Sequence, residues 1–193
     1  MTGFDSFIHD YTTTLQDLLG RLPEDDIIRV VDEIVEAGER GSTIFILGNG
    51  GSAATASHFA CDLAKGTQRP DRRSFRVMAL TDNVPLITAW GNDTSYERVF
   101  AEQLRPLVEA GDLVIGISGS GNSPNVIEAM HVAREAGART IGWTGFRGGR
   151  LREMVDQCVI VPSDSMEQIE DVHLILEHAV CTTLRRIRQP LPA

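Results

Sequence analysis

His58 and Asp62 stand four residues apart within GSAATASHFACDL, so on a helix their side chains share one face about one turn apart. Such a pair can be half of a metal site, an acid–base couple or a plain surface contact, and spacing alone favours the last. Near the other end of the chain, Glu170 and His178 lie broadly on one side of a helix. His173 and Glu177 form a separate i, i+4 pair turned well away from His178, and periodicity does not choose which set faces a site. His9 and His131 have no comparable company and read as structural or exposed. A carboxylate and an imidazole beside a sugar carbonyl suit removal of the neighbouring proton and its return on the adjacent carbon, which is aldose–ketose isomerisation. A divalent metal can share that work by polarising oxygens, and His with carboxylate ligands suits zinc.

Two glycine- and serine-rich stretches offer a place for the rest of such a substrate. The first, Gly48-Asn49-Gly50-Gly51-Ser52, follows the apolar run TIFIL; the second, Ser118-Gly119-Ser120-Gly121-Asn122-Ser123, follows LVIGI and precedes Pro124, a residue suited to a first helical turn. Gly48, Gly50 and Ala53 formally match the dinucleotide fingerprint G-x-G-x-x-A. That fingerprint also needs an acid at the end of the second strand to hold the ribose, and Asp82 comes much too late. A nucleoside-triphosphate loop is excluded more firmly, because neither stretch carries a lysine. What remains is backbone N–H groups at Gly50, Gly51 and Gly119, helix N-terminal partial charge, and the hydroxyls of Ser52, Ser118, Ser120 and Ser123. A tight strand-to-helix turn is also rich in glycine, but two such loops, both bearing hydroxyls, fit a single phosphate monoester.

These residues must be positioned by strands and helices in alternation. Runs at 43–47, 75–80, 113–117, 139–143 and 157–161 are short, apolar and β-branched, and read as five buried strands with helix-length stretches between them. A parallel sheet covered on both faces is the economical arrangement, and ligands collect at the carboxyl ends of its strands. The phrase Glu-Ala-Gly recurs at 36–38, 109–111 and 135–137, each glycine read as a left-handed helix stop. Two amphipathic helices, Phe4 to Leu19 and Glu24 to Ala37, precede the sheet and are joined at Leu22-Pro23. Their apolar faces are expected to pack on the domain or on a second subunit. Glu167 to Arg188 reads as a closing helix ended by Pro190. The expected organisation is one domain over 1–193, with residues 1–40 a helical extension and 41–193 an αβα core.

Composition narrows the partners. With 193 residues, 42% hydrophobic and 23% charged, the chain has ordinary globular proportions, and no run approaches the ~20 apolar residues of a membrane span. A net charge of −9 repels a nucleic-acid backbone, and the basic runs Arg69 to Arg76 and Arg185 to Arg188 read as solvated faces. Three cysteines at unrelated spacings make neither a disulfide framework nor a zinc knuckle. The opening residues lack the pattern of a secretory signal, so a cytoplasmic location is the expectation.

Taken together, GNGGSAATASHFACDL, LTDN with AWGND, GISGSGNSPNVIEAM and IEDVHLILEH resemble the phosphoheptose isomerases of the sugar isomerase (SIS) domain superfamily. The resemblance spans nearly the whole chain. It implies a three-layer αβα sandwich, a homotetramer with sites shared between subunits, and conversion of sedoheptulose 7-phosphate to D-glycero-D-manno-heptose 7-phosphate. By motif position it implies phosphate contacts from Ser52, Ser118, Ser120 and Ser123, sugar contacts from Asn49 and Asp93, and catalysis by Asp62 and His178. It also implies a zinc ion held through His58, Asp62, Glu170 and His178. Three positions depart from the pattern: Asp62 is one methylene shorter than the usual glutamate, Glu170 stands where glutamine is common, and Gly119 replaces a frequent threonine. The superfamily also contains a replication-initiator-associating protein and sugar-phosphate-sensing domains without isomerase chemistry; the acid at 62 and the histidine at 178 favour the enzyme.

Overall fold

A computed structural model describes residues 3–187. All five apolar runs form strands: β1 (Thr43–Gly48), β2 (Arg76–Ala79), β3 (Leu113–Ser118), β4 (Arg139–Thr144) and β5 (Gln157–Ile160). Every pairing is parallel, in the order β2-β1-β3-β4-β5. The chain steps outward from β1 to β2 and returns on the other side of β1 for β3. The winding direction therefore reverses between β1 and β3, and a crevice opens beyond their carboxyl ends. Gly48, the last residue of β1, pairs with Ile117, one residue before the end of β3. Both glycine-serine loops thus leave neighbouring strands at the same edge of the sheet.

Helices cover both faces because successive strand side chains point to opposite sides. Ile44 and Ile46 face one layer, where α2 (Glu24–Arg40), α3 (Gly51–Cys61) and α8 (Met166–Ile187) bring Val30, Ile34, Phe59 and Val172. Phe45 and Leu47 face the other, against Phe100 and Leu104 around α5 (Ala101–Leu104), Met130 of α6 (Pro124–Glu135) and Leu151 of α7 (Gly149–Met154). Burying about ten such large side chains at ~2 kcal/mol each is the main force holding the layers to the sheet. Pro124 takes the first position of α6, as its fixed φ favours.

Of the three Glu-Ala-Gly phrases, only the last ends a helix as expected: α6 stops at Glu135, and Gly137 has a φ of 79°. Gly38 is a correction. It lies inside α2, which continues to Arg40 and is ended by Gly41 at φ 74°; any larger residue at position 38 would collide with the Phe75 ring. Gly111 closes a turn, since α5 has already ended at Leu104.

The leading helices differ in their packing. α2 buries Val30, Val31, Ile34 and Ala37 against the sheet layer, whereas α1 (Gly3–Leu19) buries Leu18 and leaves Phe4, Phe7 and Ile8 at 78%, 70% and 68% exposure. Tyr11 ties α1 to α8 by donating to Asp171 Oδ2 at 2.6 Å, and this bond pushes the phenol up to about 12. A helix between β2 and β3, α4 (Val84–Asp93), has no buried residue at all, and a cleft of about 790 Å³ runs beside it along the open edge strand β2. Among the described residues no helix is long and apolar enough to cross a membrane. Arg188 and Pro190, expected at the end of the closing helix, lie outside the described residues.

Candidate active site

The end of β1 reaches the loop only because residue 48 is glycine: a Cβ there would stand 2.8 Å from Ser52 Cβ and 2.9 Å from the Ile117 carbonyl oxygen. Asn49, Gly50 and Gly51 then turn the chain into α3, and Ser52, 5% exposed, tucks under the turn. The N-terminus of α3 carries no side-chain cap; the Ala53 N–H bonds back to the Asn49 and Gly50 carbonyls, and the earlier N–H groups of the turn are the ones offered to an anion.

The second loop is built against the first. Ser118 Oγ and Ser123 Oγ are 2.9 Å apart, which leaves the N-terminus of α6 without a serine cap. Ser120 Oγ accepts from the Asn122 backbone N–H at 3.2 Å. Gly121 adopts φ 66° and is pressed on the Gly148 carbonyl, so the turn has no room for a side chain. Gly119 leaves space that the Met166 sulfur fills from α8, where the more frequent threonine would stand. Ser120 and Asn122 open onto a hollow that also contains Phe146 and Arg147, which brings a cationic side chain near the loop.

A reciprocal amide pair joins the loops. Asn49 Nδ2 donates to Asn125 Oδ1 and Asn125 Nδ2 donates to Asn49 Oδ1, both at 2.8 Å. Tyr96 adds its hydroxyl to Asn49 Oδ1 at 2.9 Å. Asn125 is 1% exposed and also accepts from the Val126 N–H, so the centre of this network is enclosed and its partners fix one geometry, with Tyr96 exposed at its rim. Asn125 and Tyr96 went unrecognised in the sequence. The only available signal was an asparagine in the first turn of the helix that follows a glycine-serine loop. Asp93 ends α4, where its carboxylate accepts from Asn92 at 2.9 Å, and the turn that follows supplies Tyr96.

His58 and Asp62 occupy the end of α3, two turns below Ser52, where the helix widens into a π turn (Asp62–Gly66). Their Nε2 and Oδ1 atoms are 3.9 Å apart. Across from them on α8, the His178 ring meets the His58 ring edge to face, with centroids 5.0 Å apart and planes at 84°. The carboxylate completing this group is Glu177, whose Oε2 lies 3.3 Å from His178 Nε2. Ligating atoms of His58, Asp62, Glu177 and His178 all fall within 4.8 Å of one another, a donor set able to hold a metal ion. Glu177 is fully buried, and burial raises its carboxyl pKa against the opposing pull of His178 and His58. Burial, with Glu177 beside it, also pushes the Cys181 thiol up, so that cysteine is inert at neutral pH.

Glu170 stands apart from this group. Its carboxylate rests on the backbone of Gly51, where any side chain would strike Oε1 and Oε2, so it faces the first loop. His173 is enclosed, 0% exposed, with Nε2 3.2 Å from the Thr144 carbonyl oxygen; burial lowers its pKa to about 4 and keeps it neutral. The i, i+4 pair His173 and Glu177 therefore splits, one member pegging α8 to the end of β4 and the other joining the histidine cluster.

Residues 6–145 match the SIS domain family. A phosphoheptose isomerase of Aliarcobacter butzleri is 47% identical over 147 residues, covering 76% of this chain and 77% of its own length. Among solved structures, a phosphoheptose isomerase of Neisseria gonorrhoeae superposes with a TM-score of 0.86 at 32% identity, covering 95% of this chain and 99% of that one. One from Francisella tularensis gives 0.87 at 29% identity, with coverage of 96% and 100%.

Proposed function

The chain belongs to the SIS domain family, among its phosphoheptose isomerases, and we propose that its two joined loops hold the phosphate while Asp62 and His178 carry the proton transfers. It is an aldose–ketose isomerase, interconverting sedoheptulose 7-phosphate and D-glycero-D-manno-heptose 7-phosphate. The observation that carries the reading is the Asn49–Asn125 pair. It locks two anion-ready helix N-termini side by side at the reversal point of the sheet, above a helix that ends in His58 and Asp62.

Ser52, Ser118, Ser120 and Ser123 with the N–H groups of Gly50, Gly51 and Gly119 then surround the phosphate, and Asn49 and Asp93 meet sugar hydroxyls. Six residues of α3 separate Ser52 from His58, about 9 Å of helix, so the sugar chain lies along α3 between the loops and the cluster. Asp62 takes the proton from C1 of the ketose and returns it to C2, forming and consuming an enediol. His178 gives a proton to the C2 carbonyl oxygen and receives the one leaving the C1 hydroxyl, so both are restored after each turnover. Two imidazoles and neighbouring carboxylates fit zinc. The zinc reading assigns His58, Asp62, Glu170 and His178 as ligands, and such an ion supplies Lewis-acid polarisation of the substrate oxygens when bound. The exposed apolar side of α1 and the unburied α4 support a homotetramer, and a cytoplasmic location accords with three cysteines that form no disulfide among the described residues.

Turnover of sedoheptulose 7-phosphate, measured against fructose 6-phosphate and buffer, tests this. Asp62→Asn and His178→Gln should each lower kcat by roughly 100-fold or more with the fold intact, the range for loss of a positioned acid or base. Equal turnover in either variant, or none in the parent protein, would remove the assigned roles.

A further inference from the structure

We infer that Arg147, on a third loop fastened to the second, supplies the positive charge that the two serine- and glycine-rich loops lack, and thereby makes the site selective for a phosphate dianion. The inference rests on the phosphate reading above and adds a specificity-determining residue to it. Neither anion loop contains a lysine or an arginine, and the chain carries a net charge of −9. A dianion entering the crevice therefore gains from any local cation that offsets this field. The connection between β4 and α7, residues 145–148, brings one.

This connection and the second loop form one body. The Gly145 N–H donates to the Gly119 carbonyl at 2.8 Å, and the Leu151 N–H donates to the Gly121 carbonyl at 2.9 Å. Asn122 bridges the two, accepting from the Arg150 N–H at 3.1 Å and donating to the Ser120 carbonyl at 2.9 Å. Gly149, at φ 55°, sits so close that a Cβ there would stand 2.5 Å from the Ser120 carbonyl oxygen. Between these fastenings lies Phe146 with φ 49°, the one non-glycine residue of positive φ among the described residues. Its N–H is held by the Ser163 carbonyl at 2.9 Å. A bulky side chain is costly in that backbone region and persists only where the surroundings enforce it, a pattern concentrated at functional turns. The enforced turn places the next residue, Arg147, on the hollow of about 400 Å³ that Ser120 and Asn122 also line. Asp164 lines the same hollow, yet among the described residues Arg147 makes no hydrogen bond or ion pair. Its guanidinium is thus uncommitted beside a serine already assigned to the phosphate, and its planar fork matches two phosphate oxygens at once.

Inhibition by inorganic phosphate and the separate kcat and KM for sedoheptulose 7-phosphate test this. Arg147→Gln should weaken phosphate inhibition and raise KM by roughly tenfold while kcat stays within about twofold, the signature of a contact made equally in the bound and reacting states. Arg147→Lys should recover part of the loss, because it keeps the charge without the fork. Raising the salt concentration should lower kcat/KM of the parent more steeply than that of Arg147→Gln. Arg152→Gln removes the same charge on α7 outside the hollow and should stay within about twofold of the parent. Parental phosphate inhibition in Arg147→Gln, a loss confined to kcat, or an equal loss in Arg152→Gln overturns the role of Arg147. The loop reading survives any of these if replacing Ser118 and Ser123 by Ala still abolishes phosphate inhibition. A parent enzyme that inorganic phosphate does not inhibit overturns both.

Discussion

Lowering the pH from 7.5 to 5 should withdraw stability through one residue, His173. Its ring is wholly enclosed, with Nε2 3.2 Å from the Thr144 carbonyl oxygen, and burial brings its pKa from 6.5 to about 4. Above pH 6.5 neither the folded nor the unfolded chain binds a proton there, and the contribution is whole. Between 6.5 and 4 the unfolded chain takes up the proton while the folded one does not, so stability falls with pH; below 4 no more is lost. At 1.36 kcal/mol per pKa unit the full loss is ~3 kcal/mol, of which ~2 kcal/mol is gone by pH 5. Urea unfolding of the parent and of His173→Gln, at one protein concentration and both pH values, isolates the effect, because other titrating groups such as Glu177 are common to both proteins. Glutamine keeps an N–H donor for Thr144 but does not titrate. The stability gap between the two proteins should shift by ~2 kcal/mol toward the variant at pH 5. An identical gap at both pH values would mean that the imidazole is protonated without penalty in the folded protein, and the view of His173 as a neutral peg for α8 would be wrong.

Other substitutions probe the loops. Asn125→Ala removes both amide bonds to Asn49 and the acceptor for the Val126 N–H, so chemical denaturation should show a loss of ~2 to 3 kcal/mol, and KM for the sugar phosphate should rise because Asn49 is no longer held. Replacing Ser118 and Ser123 together by Ala should raise KM at least tenfold, since hydrogen bonds to a charged group are worth ~1.5 to 3 kcal/mol each; unchanged inhibition by inorganic phosphate would argue against these hydroxyls as ligands. Gly121→Ala should destabilise by ~2 kcal/mol or more in thermal unfolding, from its φ of 66° and the adjoining Gly148 carbonyl.

Much of this architecture was legible because its signals are local. Five apolar runs bounded by turn residues read as parallel strands and all five are, although the edge strand β2 buries only Ala79 and leaves Arg76 and Met78 exposed; the serines and glycines of both loops announced helix N-termini. Longer-range facts were not. Gly38 was misread because its reason is the Phe75 ring, far along the chain, and a glycine packed under a ring looks like a helix stop. Glu177 was left without a role because periodicity does not choose which pair on the closing helix faces a site; adjacent residues point ~100° apart, yet Glu177 Oε2 comes within 3.3 Å of His178, and the burial that fixes it is tertiary. Asn125 carried no motif, since its partner lies 76 positions earlier and only the β1–β3 adjacency brings them together. α4 also escaped notice: its apolar residues, Val84 and Leu86 among them, are left exposed, so they mark no face turned to the core.

The anion loops hang from β1 and β3, whereas the titratable cluster rides on the outer flanks of α3 and α8. Grip and reaction therefore rest on different parts of the scaffold. A descendant could inherit the handle unchanged and acquire new chemistry, or lose chemistry and become a sensor, by exchanging a few side chains on two helices while its sheet stays as it is.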